Sequence, residues 1–250
     1  MNKHIHTYIY IDDLSCILNE RLSTKPSPSA LQDLLFICEK FAATNDMIYN
    51  LKKTVCMLAR CKKSKVTTSP TIYYMYLNAN KLKWVDDYKY LGFFVNDGFK
   101  DDLDIRRQMR AIYTRGNLLI KRFFSCIQDV KAKLFQAFCS SMYCCYLWNS
   151  FNVNSFKQLE VAYNNVFRHL MGIKGKHSIS KEFLENQVDS FKIVYRKLVG
   201  SFYNRVLNSD NNLVKCIVNS SFFMYKSDLY SNTHKKAQFQ WSDLIVMGKK

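Results

Sequence analysis

Two adjacent carboxylates, Asp12 and Asp13, stand between two short runs that are apolar and β-branched or aromatic, Thr7 to Ile11 and Leu14 to Leu18. Such runs on either side of an acidic pair read as the strands of a hairpin with the carboxylates at its tip. Like charges this close repel, and each raises the proton affinity of the other. A divalent cation relieves that repulsion, and Mg²⁺ takes hard oxygen ligands of this kind. A two-metal centre holds its ions about 3.5–4 Å apart and draws its carboxylates from more than one segment. Taken alone, an acidic dipeptide in a turn is more often solvated than metal-binding, so the surrounding chain has to decide between the two.

The elements that would position the pair can be read outward from it. Ser27-Pro28 supplies an N-cap with proline at the first helical position, and Leu31, Leu34, Leu35, Cys38, Phe41 and Ala42 come after it at helical spacing. Three strand-like runs come next, Thr54 to Ala59, Thr71 to Leu77 and Tyr88 to Val95, with Asn78-Ala79-Asn80 as a turn and Gly92 inside the last run. After Asn96-Asp97-Gly98 the apolar period changes from two to 3.6. Ile105, Met109, Ile112, Gly116, Leu119 and Phe123 then form one stripe, with Arg107, Arg110, Thr114, Asn117 and Lys121 on the other side. Asp101, Asp102 and Asp104 sit where negative charge suits a helix N-terminus. Further helices are marked by Val130, Leu134, Phe138 and Met142, by Phe156, Leu159, Tyr163, Val166 and Leu170, and by Phe191, Val194, Leu198, Phe202 and Val206. A basic loop, Gly172 to His177, separates the last two. The fold class is therefore α+β: a small antiparallel sheet with a helix over residues 1–98, helices over 99–220, and an unassigned tail over 221–250.

Composition narrows the partners. The chain has 250 residues, is 48% hydrophobic and carries a formal charge of +17, with 23 basic against 11 acidic side chains after residue 100. A field of that sign concentrates polyanions, so nucleic acid comes first and an anionic membrane second, while a merely soluble basic surface would explain the charge as well. The nine cysteines show no CxxC pair and no zinc-finger spacing. They read as reduced packing residues of an intracellular protein, nuclear or cytoplasmic and not secreted. The most apolar stretch, Leu134 to Trp148, falls short of the roughly 20 residues that span a bilayer and reads as a core helix.

Tyr10-Ile11-Asp12-Asp13-Leu14 resembles the YxDD box of reverse transcriptases, and the chain beyond it resembles the non-LTR (LINE-type) retrotransposon enzymes in order and spacing. After the box those enzymes have a helix, similar to Pro26 through Ala42. Next they have an Asn-x-x-Lys-Ser/Thr element, similar to Asn50-Leu51-Lys52-Lys53-Thr54, and then a Tyr-Leu-Gly turn, similar to Tyr90-Leu91-Gly92. Asp101 through Gln108, Lys133 through Cys139 and Ala162 through Val166 are similar to the thumb and connection, and the likeness fades after about Asn219.

The resemblance implies a partial palm over 1–98, a basic thumb and connection over 99–220, and a parent reaction of two-Mg²⁺ nucleotidyl transfer by an RNA-directed DNA polymerase. It implies Asp12 and Asp13 as metal ligands and Lys53 as the lysine near the triphosphate. Tyr90, Leu91 and Gly92 would form the primer grip. Arg107, Arg110 and Lys121 would track phosphates of an RNA template and DNA primer or RNA–DNA duplex. Ile11 departs from the usual alanine, and Asn19 through Lys25 is extra length. The fingers and the first catalytic aspartate precede the box in the family. The expectation is accordingly a segment inactive as a polymerase by itself, with an unpaired sheet edge, exposed apolar side chains and a need for a further N-terminal polymerase segment. Two other readings stay open: a non-enzymatic basic helical nucleic-acid-binding module, and a decayed retroelement copy.

Overall fold

The computed structural model describes residues 4–10, 13–19, 28–58, 74–173 and 177–219, the first two stretches and residues 28–30 by their backbone only. Asp12, Ser27, Thr71 through Tyr73, Lys174 through Lys176 and the tail after Asn219 lie outside the described residues. The chain divides into two compact units, Met1–Tyr88 and Lys89–Lys250. Its class is α+β and mostly helical, with seven α-helices and a few small sheets among the described residues.

In the first unit the runs around the acidic pair form β1 (His4–Tyr10), which starts three residues before Thr7, and β2 (Asp13–Asn19), one residue longer than its run at each end; Ile11 lies outside the described residues. They pair antiparallel, with Thr7 opposite Cys16 and Tyr10 opposite Asp13. Among the described residues this ribbon pairs with no other strand. Helix α1 (Pro28–Thr44) starts on the proline, whose missing N–H costs nothing at the first helical position. Its Leu31 and Leu35 pack on a small core of Cys56, Met75, Leu77 and Leu82. The Gln32 amide completes that packing by acting as a strand partner: its Oε1 accepts from Tyr76 N and its Nε2 donates to Tyr76 O, both at 2.9 Å. Phe36, Ile37 and Phe41 of α1 are exposed.

The expected small antiparallel sheet is instead, among the described residues, four separate two-stranded pairings. β3 (Val55–Cys56) runs parallel to β6 (Lys83–Trp84), and β4 (Tyr76–Leu77) runs antiparallel to β5 (Asn80–Lys81). Turns cut these strands short. Asn78 and Ala79 both adopt positive φ, 49° and 58°, and reverse the chain within two residues. The run from Tyr88 to Val95 is likewise two strands, β7 (Asp87–Tyr90) and β8 (Phe93–Asn96), with Leu91-Gly92 as the connection between them.

The second unit is built on α2 (Asp102–Phe123), α3 (Gln128–Cys139), α4 (Val153–Met171), α5 (Ile179–Glu185), α6 (Phe191–Leu207) and α7 (Asn212–Val218). α2 packs chiefly on α4. The α2 stripe is buried as its spacing predicts, through Ile105, Ile112, Gly116 and Leu119, but Asp104 and Gln108 are buried with it. Around Phe135 the core is aromatic: its ring meets Tyr163 at 4.8 Å and Phe167 at 5.0 Å, both edge-on, the geometry that ring quadrupoles favour.

Leu134 to Trp148 is not one helix. α3 stops at Cys139, and Cys144, at φ 62°, leads into a short 3-10 turn over Cys145–Leu147. The cause lies in where the backbone carbonyls go. Arg115 Nη1 donates to the carbonyls of Phe138 and Ser141, Gln108 Nε2 donates to Ser141 O, and Arg107 Nη2 donates to Tyr143 O. Side chains of α2 thus satisfy acceptors that a continuing helix would have satisfied itself. The buried face of α3 carries Ala132, Phe135 and Cys139; of the patterned residues Leu134 packs against the core and Met142 is buried beyond the helix end, while Val130 and Phe138 are exposed, so only half of that stripe faces inward. α3 is apolar on more than one side, and period alone does not choose the side. The helices α5 and α7 have no counterpart in the sequence pattern; each is a single seven-residue segment, too short for a period to show.

Candidate nucleic-acid interface

The acidic pair is positioned by strand register. With Tyr10 opposite Asp13, only Ile11 and Asp12 connect the two strands. Asp13 therefore opens β2 at the end of the ribbon where the connection lies. Among the described residues no group of three or more His, Cys, Asp or Glu side chains could hold a metal. Two neighbouring carboxylates fit Mg²⁺ in donor type, and each further ligand would come from water, substrate or another segment.

The Asn-x-x-Lys-Thr element is a tight turn organised by its asparagine. Asn50 O accepts from Lys53 N and Thr54 N, both at 3.0 Å, and from Thr54 Oγ1 at 3.0 Å, while Asn50 Oδ1 accepts from Lys52 N at 3.2 Å. Asparagine suits that role because its side chain can mimic a backbone acceptor. The turn presents Lys53 outward and exposed.

In the second unit, Leu91 and Gly92 have φ of 47° and 84°, the two positive values of a type I′ connection. Gly92 carries this at no steric cost, whereas Leu91 is an unusual residue for it. Tyr143 lies against the turn: its Oη donates to Leu91 O at 2.9 Å, and a Cβ added at Gly92 would come within 3.1 Å of its ring. Tyr90 is half-buried and Leu91 exposed.

The basic side chains of α2 divide into two sets. Arg107 turns inward. Its Nε and Nη2 hold the carboxylate of Asp104 at 2.6 and 3.1 Å, so its charge is already compensated. Asp104 is fully buried and accepts from the Trp148 indole at 2.9 Å and from Phe94 N at 3.2 Å. Arg115 also turns inward, onto the carbonyls of Phe138 and Ser141. Arg110 and Lys121, with Arg122, are exposed, and among the described residues no ion pair engages them. Thr114 and Asn117 share that outer face and Tyr113 borders it, which alternates charge with hydrogen-bonding and aromatic groups. The expectation that Arg107, Arg110 and Lys121 act alike is thereby sharpened: two project outward and one is part of the scaffold. The Asp104–Arg107 spacing of three was the available signal for the inward pair.

At the start of α2, Asp101 Oδ2 accepts from Asn149 N and Ser150 N at 2.6 and 2.7 Å, and Asp102 Oδ1 accepts from Asn152 N at 2.9 Å. Burial pushes the Asp101 carboxyl up from its ordinary range, and the two backbone N–H groups only partly offset it. For Asp102 burial acts in the same direction, but the Ser155 hydroxyl, Asn152 N–H, Lys100 and Arg106 together outweigh it and hold the carboxyl low. These acids therefore fix α2 to the entry of α4 rather than serving the helix dipole alone. Along α6 an open groove of about 530 Å³ is lined by Lys197, Ser201, Asn204, Arg205 and Asn208, rich in hydrogen-bond donors.

No protein-family model, no curated protein and no solved structure matches the chain. Among the described residues no helix is long and apolar enough to cross a membrane.

Proposed function

We propose that the chain carries the YxDD hairpin and thumb of an RNA-directed DNA polymerase of the non-LTR retrotransposon kind, and that its helical unit binds a primer–template duplex. The observation that carries this reading is the division of the α2 cations. Arg107 and Arg115 are committed to the fold, while Arg110, Lys121 and Arg122 stand outward on a rigid helix without a carboxylate partner among the described residues. Cations held in that way displace condensed counterions from a phosphate backbone, which gives affinity that falls as salt rises. Asp12 and Asp13 would hold Mg²⁺, which when bound would activate the primer hydroxyl and stabilise the leaving oxygen. Lys53, outward on its turn, would approach the triphosphate and supply a proton to the leaving pyrophosphate. Leu91-Gly92 would meet the primer backbone, where a glycine allows close approach.

The test is fluorescence anisotropy with an RNA–DNA duplex bearing a recessed 3′ end, over a range of salt. Binding should weaken with salt, and Arg110→Gln and Lys121→Gln should each reduce the slope of log Kd against log salt by about one. Salt-independent binding, or none at low salt, refutes the reading. The concentration of positive charge after residue 100 also favours a second reading, a non-enzymatic binding module. Under it Asp12→Asn with Asp13→Asn leaves Mg²⁺ binding by the chain unchanged; under the polymerase reading that binding is lost.

A further inference from the structure

The Leu91–Gly92 turn is gripped from outside its own hairpin. A non-glycine residue in the left-handed region persists where its surroundings over-determine it, and at Leu91 those surroundings are Tyr143. The phenol donates to Leu91 O at 2.9 Å and the ring fills the space beside Gly92. Tyr143 is itself pinned, because Arg107 Nη2 donates to its carbonyl at 3.2 Å. Arg107 in turn is oriented by both oxygens of Asp104, and Asp104 Oδ1 accepts from Phe94 N on β8, two residues beyond the turn. The connections close a ring that runs from the turn through Tyr143, Arg107 and Asp104 back to the same hairpin. The hairpin is thus fixed at two points by one set of side chains, and the fully buried Asp104 anchors that set to Trp148.

We infer that Tyr143 is the positioning residue that holds the Leu91–Gly92 turn in the shape that meets a nucleic-acid backbone, with Asp104 and Arg107 fixing Tyr143 in place. The inference rests on the nucleic-acid reading proposed above. It assigns Arg107 a role different from that of Arg110 and Lys121. Because its charge is balanced by Asp104, Arg107 contributes shape to the interface and releases no counterions.

The decisive variant is Tyr143→Phe, which keeps the ring beside Gly92 and removes the hydroxyl that bonds Leu91 O; Tyr143 is about half exposed, so the fold tolerates the change. Two quantities are read on the full chain. Hydrogen exchange at the amides of Gly92 and Phe93 should accelerate by roughly three- to tenfold, the loss of one hydrogen bond, with protection in α2 and α4 unchanged. Affinity for the recessed RNA–DNA duplex should fall by a similar factor while the salt slope stays at the wild-type value. Arg110→Gln should show the converse, a smaller slope with unchanged exchange at the turn. Gly92→Ala, which pushes a methyl against the Tyr143 ring, should weaken binding as well, and combining it with Tyr143→Phe should be less than additive. Unchanged exchange in Tyr143→Phe overturns the inference, as does faster exchange with wild-type affinity. A wild-type chain that binds no duplex refutes the proposed function instead, and the exchange measurement then still decides whether Tyr143 holds the turn.

Discussion

Replacing Gly116 by alanine sets two known effects against each other. Gly116 lies in the middle of α2, where alanine is favoured over glycine by about 0.8–1.0 kcal/mol. Here the added methyl would fall 2.2 Å from Val166 Cγ1, 2.9 Å from Cγ2 and 3.1 Å from Cβ. Val166 is fully enclosed and β-branched, so it has no rotamer into which it can withdraw. The two helices would have to part by about 1 Å to restore ordinary carbon contacts. Overpacking of this kind costs about 1–3 kcal/mol, and three simultaneous close contacts put it at the upper end, about 3 kcal/mol. Net of helix propensity, Gly116→Ala should destabilise the helical unit by about 2 kcal/mol. Val166→Ala alone should cost a similar about 2 kcal/mol for two lost methyl groups and the space they leave. The double variant exchanges one methyl for two across the same gap, so its cost should fall well below the sum of the two single costs, with a coupling of about 2 kcal/mol. The assay is urea unfolding followed by Trp148 emission in a Trp84→Phe, Trp241→Phe background, since Trp148 is buried in that unit. The single glycine variant should lower the midpoint by about 1 M. A variant as stable as wild type, or additive effects in the pair, would show that α2 and α4 do not cross at Gly116.

Asp104→Asn should lower stability by about 3 kcal/mol, the smaller end of the range for breaking a buried ion pair because Arg107 can still reach water; a change below about 1 kcal/mol in the same urea assay would contradict the pairing. Asp101 and Asp102 should give opposite pH signatures. The folded Asp101 keeps its proton above the ordinary 3.8, so its contribution is full below that value and is lost as pH rises through the folded pKa; Asp101→Asn should remove that decline. The folded Asp102 loses its proton more readily, so its contribution is present above 3.8 and lost as pH falls; Asp102→Asn should remove that acid loss, and stability measured from about pH 3 to pH 7 separates the two. Burial pushes the thiols of Cys56 and Cys139 up to about 11 and that of Cys145 up to about 12, whereas Cys216 is exposed. Alkylation of the native protein at about pH 8, mapped by peptide mass, should therefore reach Cys216 well before those three, and comparable rates would speak against their burial.

Much of this architecture is legible in the sequence because it has a period. The hairpin around the acidic pair, the start of α1 at Pro28, the length and inner stripe of α2, and α4 with its buried Leu159, Tyr163, Val166 and Leu170 all come from apolar spacing or from proline. What was hidden depends on partners far along the chain. Nothing local in Leu134 to Trp148 says that the helix stops at Cys139. The stop depends on Arg107, Gln108 and Arg115, more than twenty residues earlier, capturing its carbonyls. The division of the basic face had only the Asp104–Arg107 spacing of three as a local signal, because the partner that helps bury Asp104, Trp148, lies 44 residues further on. Tyr143 carried no signal at all, because its role is defined only by the Leu91–Gly92 turn that it touches.

The union of α2 with α4 also imposes an order on events during synthesis. The contacts that fasten the start of α2, from Asp104 to Trp148 and from Asp101 to Ser150, join residues 44 and 49 positions apart. At about 5–20 residues per second, a ribosome needs several seconds to add that much chain. Throughout that interval α2, with Ile105, Ile112, Leu119 and the carboxylate of Asp104 on its inner face, can close only on β8 and α3, because α4, its main partner, has yet to be made. The inner face of α2 is therefore left partly open on the nascent chain until α4 emerges to cover it.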